Sequence, residues 1–287
     1  MTGAREKIRE RPEGFRFITY LSPGIPQALF EAVVDHAGRA LGGNRTSLLV
    51  EARVSGPEKG AEDPFSRDEA DVGFMCSPSF LWLRELKPSP VELLGAAPVF
   101  RDERASGRPV YFCEVIVRRD CPIRSFTGLR GGSWAYNDAC SLSGYYSLLK
   151  KLARMGADGG FFGRVLHSRS HPNSMELVAR GETDAAAIDS NVLRMRLRED
   201  PSLRNRLRVI ESWGPLPVQP VVVGSGLSPE LKEGLRASLL ATGADPRTRR
   251  ALSEFGLERF APVSYEDYAA DRLALKACES SQVGMGL

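Results

Sequence analysis

Apolar residues recur along the chain at two alternating spacings, one of strand type and one of helical type. Phe15–Leu21 is an apolar run of strand length that Ser22-Pro23-Gly24-Ile25-Pro26 breaks. From Gln27 to Leu41 the spacing becomes helical, with Leu29, Val33, Ala37 and Leu41 on one face. Ser47–Val54 and Asp71–Cys76 predict two more strands, and the Gly, Pro and charge of Ser55–Asp68 predict a surface loop between them. Val91–Phe100 and Val110–Arg118 are apolar runs on either side of a turn-like Arg101–Arg108. Strands alternating with helices imply an α/β fold with a largely parallel sheet.

The same order then repeats. It predicts a strand at Ser133–Tyr136, a helix over Ser143–Met155, a strand at Phe161–His167, a helix over Pro172–Arg180 and a short strand at Ala185–Ile188. Arg208–Trp213 and Val218–Val223 flank Gly214-Pro215-Leu216-Pro217, which reads as a Pro-rich bridge back into the first half. Ser228-Pro229-Glu230 is a helix start, and Ser280–Leu287 reads as a frayed end. A chain of 287 residues exceeds the size one core serves well. The expected division is therefore residues 1–117 with 219–287 in the first lobe and 118–218 in the second. The two crossings are expected near Val117–Asp120 and Pro217–Pro220.

Charge narrows the function. Thirty-nine basic and 36 acidic side chains leave a net +3, too small a field to define a nucleic-acid binder. The run Arg194, Arg196, Arg198, Arg204, Arg206 and Arg208 is interleaved with acids and reads as a solvated face. Five cysteines without a C-x-x-C pair and three histidines at unrelated spacings predict no metal and no cofactor, with free thiols in a reducing compartment. Met1–Arg16 alternates charges and contains no apolar stretch of signal-peptide length. No window approaches the roughly 20 apolar residues of a transmembrane segment. As written the chain reads as cytoplasmic, and as periplasmic or extracellular if a leader has been removed.

Candidate chemistry lies where strands meet helices. Tyr136-Asn137-Asp138-Ala139-Cys140-Ser141-Leu142-Ser143-Gly144 ends a strand and begins a helix with two serines. A helix start has unpaired N–H groups and the positive end of its dipole, and serine hydroxyls add donors for an anion. Serine is also a favoured N-cap, so the same residues serve a purely structural reading. Cys76-Ser77-Pro78-Ser79 and Ser168-Arg169-Ser170-His171-Pro172 repeat the pattern, and all three junctions fall where open α/β sheets bind ligands.

Four segments in this order resemble the phosphate, phosphite and phosphonate-binding proteins of ABC transporters. They are Ser141-Leu142-Ser143-Gly144, Ser170-His171, Gly181–Ser190 and the stretch from Pro215 through Lys232. Val72–Phe80 adds a weaker match. The resemblance implies a two-lobed type II periplasmic-binding-protein-like fold, each lobe a mainly parallel sheet flanked by helices, with two hinge crossings. It implies that a small anionic ligand (phosphonate, phosphate or a related oxyanion) sits in the interlobe cleft. Ser141, Ser143 and the N–H groups around Leu142 would hold the oxyanion, with Ser77 or Ser79 reaching it from the other lobe and His171 donating. Asp189 would select a cationic substituent or cap the helix that follows. The sequence departs from the family at Leu142, where Thr is usual, at Phe80 for Tyr, and at Pro172 for an acid. The implied partner is an ABC permease, or a signalling partner for a sensor. With no nucleophile order or nucleotide loop in view, binding without catalysis is the leading expectation. The alternative is an intracellular enzyme of cofactor or menaquinone-type biosynthesis on the same fold.

Overall fold

The computed structural model describes residues 14–280 apart from 23 and 44. The readings made on residues 1–13, on residues 281–287 and on the Cys278 side chain lie outside the described residues. In chain order, Phe15–Thr19 (β1), Gln27–Ala40 (α1), Thr46–Val50 (β2), Val72–Phe74 (β3), Ser77–Glu85 (α2) and Val91–Leu93 (β4) open the first lobe, and Ala96–Phe100 (β5) follows. The second lobe contains Val110–Arg118 (β6), Ser133–Tyr136 (β7), Ser147–Arg154 (α3), Arg164–His167 (β8), His171–Arg180 (α4), Ala185–Asp189 (β9), Ser190–Glu199 (α5), Leu203–Arg206 (α6) and Leu207–Pro217 (β10). Val221–Gly224 (β11) returns, followed by Pro229–Leu240 (α7), Pro246–Ser253 (α8), Leu257–Pro262 (β12) and Ala269–Ser280 (α9).

Two five-stranded sheets carry the lobes, in the orders β2-β1-β3-β11-β4 and β10-β6-β9-β7-β8. In each, four strands run one way and the fourth strand from one edge runs against them: β11 in the first sheet and β6 in the second. Each reversed strand is the first one laid down after the chain arrives from the other lobe. This is the type II arrangement, and helices cover the sheet faces.

Three expectations change. The apolar run Val91–Phe100 is two strands, because Gly95 at φ +78° turns the chain so that β4 joins the first sheet while β5 pairs with β12. Eight of the nine residues of β6, all but Phe112, pair in the second sheet, so residue 117, after which the division was expected, lies at the far end of a strand that enters at Val110. The Pro-rich stretch 214–217 is the end of β10, where Leu216 and Pro217 pair with Tyr111 and Val110 beyond a register shift. Prolines are tolerated there because β10 is an edge strand and needs no inward N–H at those positions.

The core reflects this layout. Phe15, Phe17, Val33, Val72 and Val221 fill the first lobe, and in the second Ile116, Ala135 and Ile188 pack against Met175 and Val178 of α4. A third cluster runs through both lobes and includes Phe80, Tyr111, Trp134, Leu142 and Tyr268. The Arg194–Arg208 run is more than a solvated face. Arg194 pairs with Asp102 on the first crossing, and Arg208 donates to the carbonyls of Arg119, Cys121 and Ile123.

Candidate functional site

The strand order β9-β7-β8 places the carboxyl ends of three parallel strands side by side, and each runs into a helix. Asp138, just past β7, accepts from the Cys140 N–H at 2.8 Å, a turn that aims the next residues at the cleft. Ser141 caps the helical segment, its Oγ accepting from the Gly144 N–H at 3.0 Å. The expected helix begins with a π-helical turn over Leu142–Tyr146 before α3. Ser170 caps α4 through the Asn173 N–H, and His171 follows with Nε2 3.3 Å from Ser143 Oγ. Asp189 caps α5, its Oδ1 accepting from the N–H groups of Asn191 (2.7 Å) and Val192 (3.3 Å) while Oδ2 accepts from Gln219 Nε2 at 2.6 Å.

These residues line one side of a cavity of about 40 Å³, space on the scale of a few waters or one small anion. The first lobe supplies the other side from its own parallel strand ends: Tyr20, Leu21, Ser22, Gly24 and Ile25 after β1, Ala52, Val54 and Ser55 after β2 and Cys76 after β3. Ser141, Ser143, His171 and Asp189 meet there. The other three expected residues do not line it. Ser77 Oγ donates to Asp271 Oδ2 of α9 at 2.8 Å. Ser79 Oγ is buried under the Ser55-Gly56 loop, where any side chain at Gly56 would meet it at 2.3 Å. The Leu142 side chain is 4% exposed in the cluster shared by the lobes, and its N–H donates to Cys76 Sγ of the first lobe at 3.2 Å. The α2 start is thus occupied by the second lobe's own loop.

Electrostatics follow from burial. Desolvation lowers the His171 pKa to about 4, so the imidazole is neutral near pH 7. Its Nδ1 has no hydrogen-bond partner within the described protein. Burial raises Asp189 to about 6 despite its hydrogen bonds from Gln219, Asn191 and Val192. Asp138 is raised too, by burial, against the hydrogen bonds from Ser55 and Cys140. Burial also pushes the Cys76 thiol far above its ordinary range, so it is an inert acceptor and not a nucleophile. Among the described residues no group of three or more His, Cys, Asp or Glu is placed to hold a metal.

Sequence reasoning passed over Ser55, Asn137, Asp138 and Gln219, all of which line the cavity. An Asn-Asp pair directly after a strand was a usable signal, because such side chains fix turns at helix starts. Nothing local marks Ser55 or Gln219, which sit 83 and 30 residues from their carboxylate partners.

A two-lobed type II substrate-binding protein is what this fold and cleft define. The family model described as ABC transporter, phosphonate, periplasmic substrate-binding protein matches residues 15–268, and the chain belongs to that family. Among solved structures it is similar to a binding-protein component of an ABC phosphonate transporter from Pseudomonas aeruginosa, with 19% identity and TM-score 0.78 over 95% of this chain and 89% of that one. PhnD1 from Prochlorococcus marinus, solved with methylphosphonate, is 14% identical with TM-score 0.73 over 93% and 99% of the two chains. The aliphatic sulphonate binding protein SsuA from Escherichia coli is 14% identical with TM-score 0.62 over 94% and 88%. These likenesses carry the fold. The family is one of periplasmic proteins that work with a permease and a small ligand, and it supports ligand binding in place of the enzyme alternative. Among the described residues no helix is long and apolar enough to cross a membrane.

Proposed function

We propose that the chain binds a phosphonate, phosphate or related oxyanion between its lobes and presents it to an ABC permease. The observation that carries this reading is the convergence of Ser141, Ser143 and His171 from two helix starts on one small cavity. Neutral donors beside unpaired first-turn N–H groups suit an anion that has left water. With His171 neutral, an Nε2–H donating to Ser143 leaves the serine O–H free for the ligand. Asp189 has three of its roughly four acceptor positions filled by the protein. Its principal role is to cap α5 and tie the return crossing, with one position left for a cationic substituent of the ligand.

The lobes meet at the segments that join the two sheets, residues 101–109 and 218–220, and these are the proposed hinges. The proposed first lobe is residues 14–100 with 221–280, and the second is 110–217. The family's location favours work at the outer face of the membrane over the cytoplasmic reading. Calorimetry with methylphosphonate, phosphate and sulfate tests the ligand class. The expected result is one phosphonate or phosphate per chain, and failure of all three anions to bind would overturn the reading.

A further inference from the structure

Ser55, on the first lobe, projects its hydroxyl between two consecutive side chains of the second. Its Oγ donates to Asp138 Oδ2 at 2.5 Å and accepts from Asn137 Nδ2 at 3.4 Å, while Asn137 Nδ2 also donates to Asp138 Oδ2 at 2.8 Å. All three residues line the cavity. Both halves of this arrangement are held in place beforehand. On the first lobe, the Cys76 N–H donates to the Ser55 carbonyl at 2.8 Å, pinning the loop to the start of α2, and Gly56 lies against Ser79 with no room for a side chain. On the second, Asp138 Oδ1 accepts from the Cys140 N–H, which fixes the carboxylate plane.

We propose that Ser55 and the Asn137–Asp138 pair form a clasp across the cavity, which holds the lobes shut over the ligand and sets how long it stays. The inference rests on the cavity being the ligand site. Asp138 accepts from three protein donors, so its acceptor capacity serves the lobes, and Ser55 and Asp138 are positioning residues and not ligand contacts. A bond made only when the lobes meet slows opening and leaves encounter unaffected, so its loss acts on the dissociation rate. A hydrogen bond to a buried carboxylate is of the strength that changes a rate by about tenfold or more.

The test uses the full chain with methylphosphonate and inorganic phosphate in stopped-flow binding, together with small-angle scattering with and without each anion. Ser55→Ala is expected to raise the dissociation rate about tenfold and change the association rate by less than about threefold. Ser55→Thr, which keeps the hydroxyl, restores the parent rate. Asp138→Asn has the same effect, and the double variant is no worse than either single one, as a shared interaction requires. Scattering of Ser55→Ala shows a larger radius of gyration than the parent. Additive effects, a loss confined to association, or scattering curves that superimpose on the parent overturn the clasp. If neither anion binds but Ser55→Ala still opens the lobes, the clasp stands and the oxyanion reading alone fails.

Discussion

Ser77 Oγ donates to Asp271 Oδ2 at 2.8 Å, which ties the first turn of α2 to the C-terminal helix and turns the serine away from the cavity. Both groups are buried, and burial raises Asp271 to about 6. Ser77→Ala is therefore expected to lower stability by about 1–3 kcal/mol, the cost of leaving a buried acceptor short of a donor. Oxyanion affinity should stay within about twofold of the parent. A tenfold loss of affinity in calorimetry would place Ser77 back at the ligand.

Stability should carry two opposed pH dependences. Asp189 is raised from 3.8 to about 6, so the native state holds its proton longer than the unfolded chain does. Its share of stability is present below about pH 4 and is lost as pH rises through 6, by about 3 kcal/mol. His171 is lowered from 6.5 to about 4 and works the other way, its share being present above about pH 6.5 and lost as pH falls towards 4. In urea unfolding across pH 4 to 6.5, Asp189→Asn should gain stability relative to the parent as pH rises, and His171→Asn should lose it. Variant curves that run parallel to the parent would refute both assignments.

Gly144 packs directly against a side chain. A Cβ there would lie 1.7 Å from Asn137 Oδ1, inside the π-helical turn that carries Ser143. Gly144→Ala should weaken oxyanion binding by about a hundredfold, because the turn must move to relieve the overlap. In an Asn137→Ala background, which makes room, Gly144→Ala should cost no more than about tenfold relative to Asn137→Ala alone. The full hundredfold loss in that background would mean that Asn137 is not what confines the glycine.

Leu142 stands where the family usually has threonine, and restoring the hydroxyl is the natural substitution to try. Its side chain is buried in the cluster shared by the lobes, away from the cavity. Leu142→Thr is expected to cost about 2 kcal/mol of stability and to leave affinity no tighter. Tighter methylphosphonate binding by calorimetry would show that the hydroxyl reaches the ligand.

Thiol reactivity should sort by exposure. Cys76, Cys113 and Cys140 are buried free thiols, and Cys121 is half-exposed. Under native conditions iodoacetamide should modify Cys121 well before the other three, read peptide by peptide in mass spectra. Fast modification of Cys76 would mean that the cavity wall opens far more readily than this packing allows.

Much of the architecture was readable from local pattern. The helix starts at Ser141, Ser170 and Asp189 are encoded within three or four residues of each cap, and all three caps form as their spacing suggests. The run Val91–Phe100 was unreadable as two strands because both halves are largely apolar and only Leu94 and Gly95 separate them. The Pro-rich end of β10 misled for the opposite reason, since its prolines are admitted by an edge position that no local signal reveals.

The sequence by itself determined the alternation of strands and helices and the hydroxyl-bearing helix starts, because propensity and capping act over a few residues. Tertiary structure decided which junctions share a cavity. The ends of β7, β8 and β9 do so because those strands are neighbours in one sheet, while the start of α2 is covered by the loop around Leu142 from the opposite lobe. It also decided the partners of the buried carboxylates: Ser55 for Asp138, Gln219 for Asp189 and Ser77 for Asp271. Those donors lie 83, 30 and 194 residues from the acids they satisfy. A buried charge requires hydrogen-bond partners, but which residue supplies them depends on how the sheets bring the chain together.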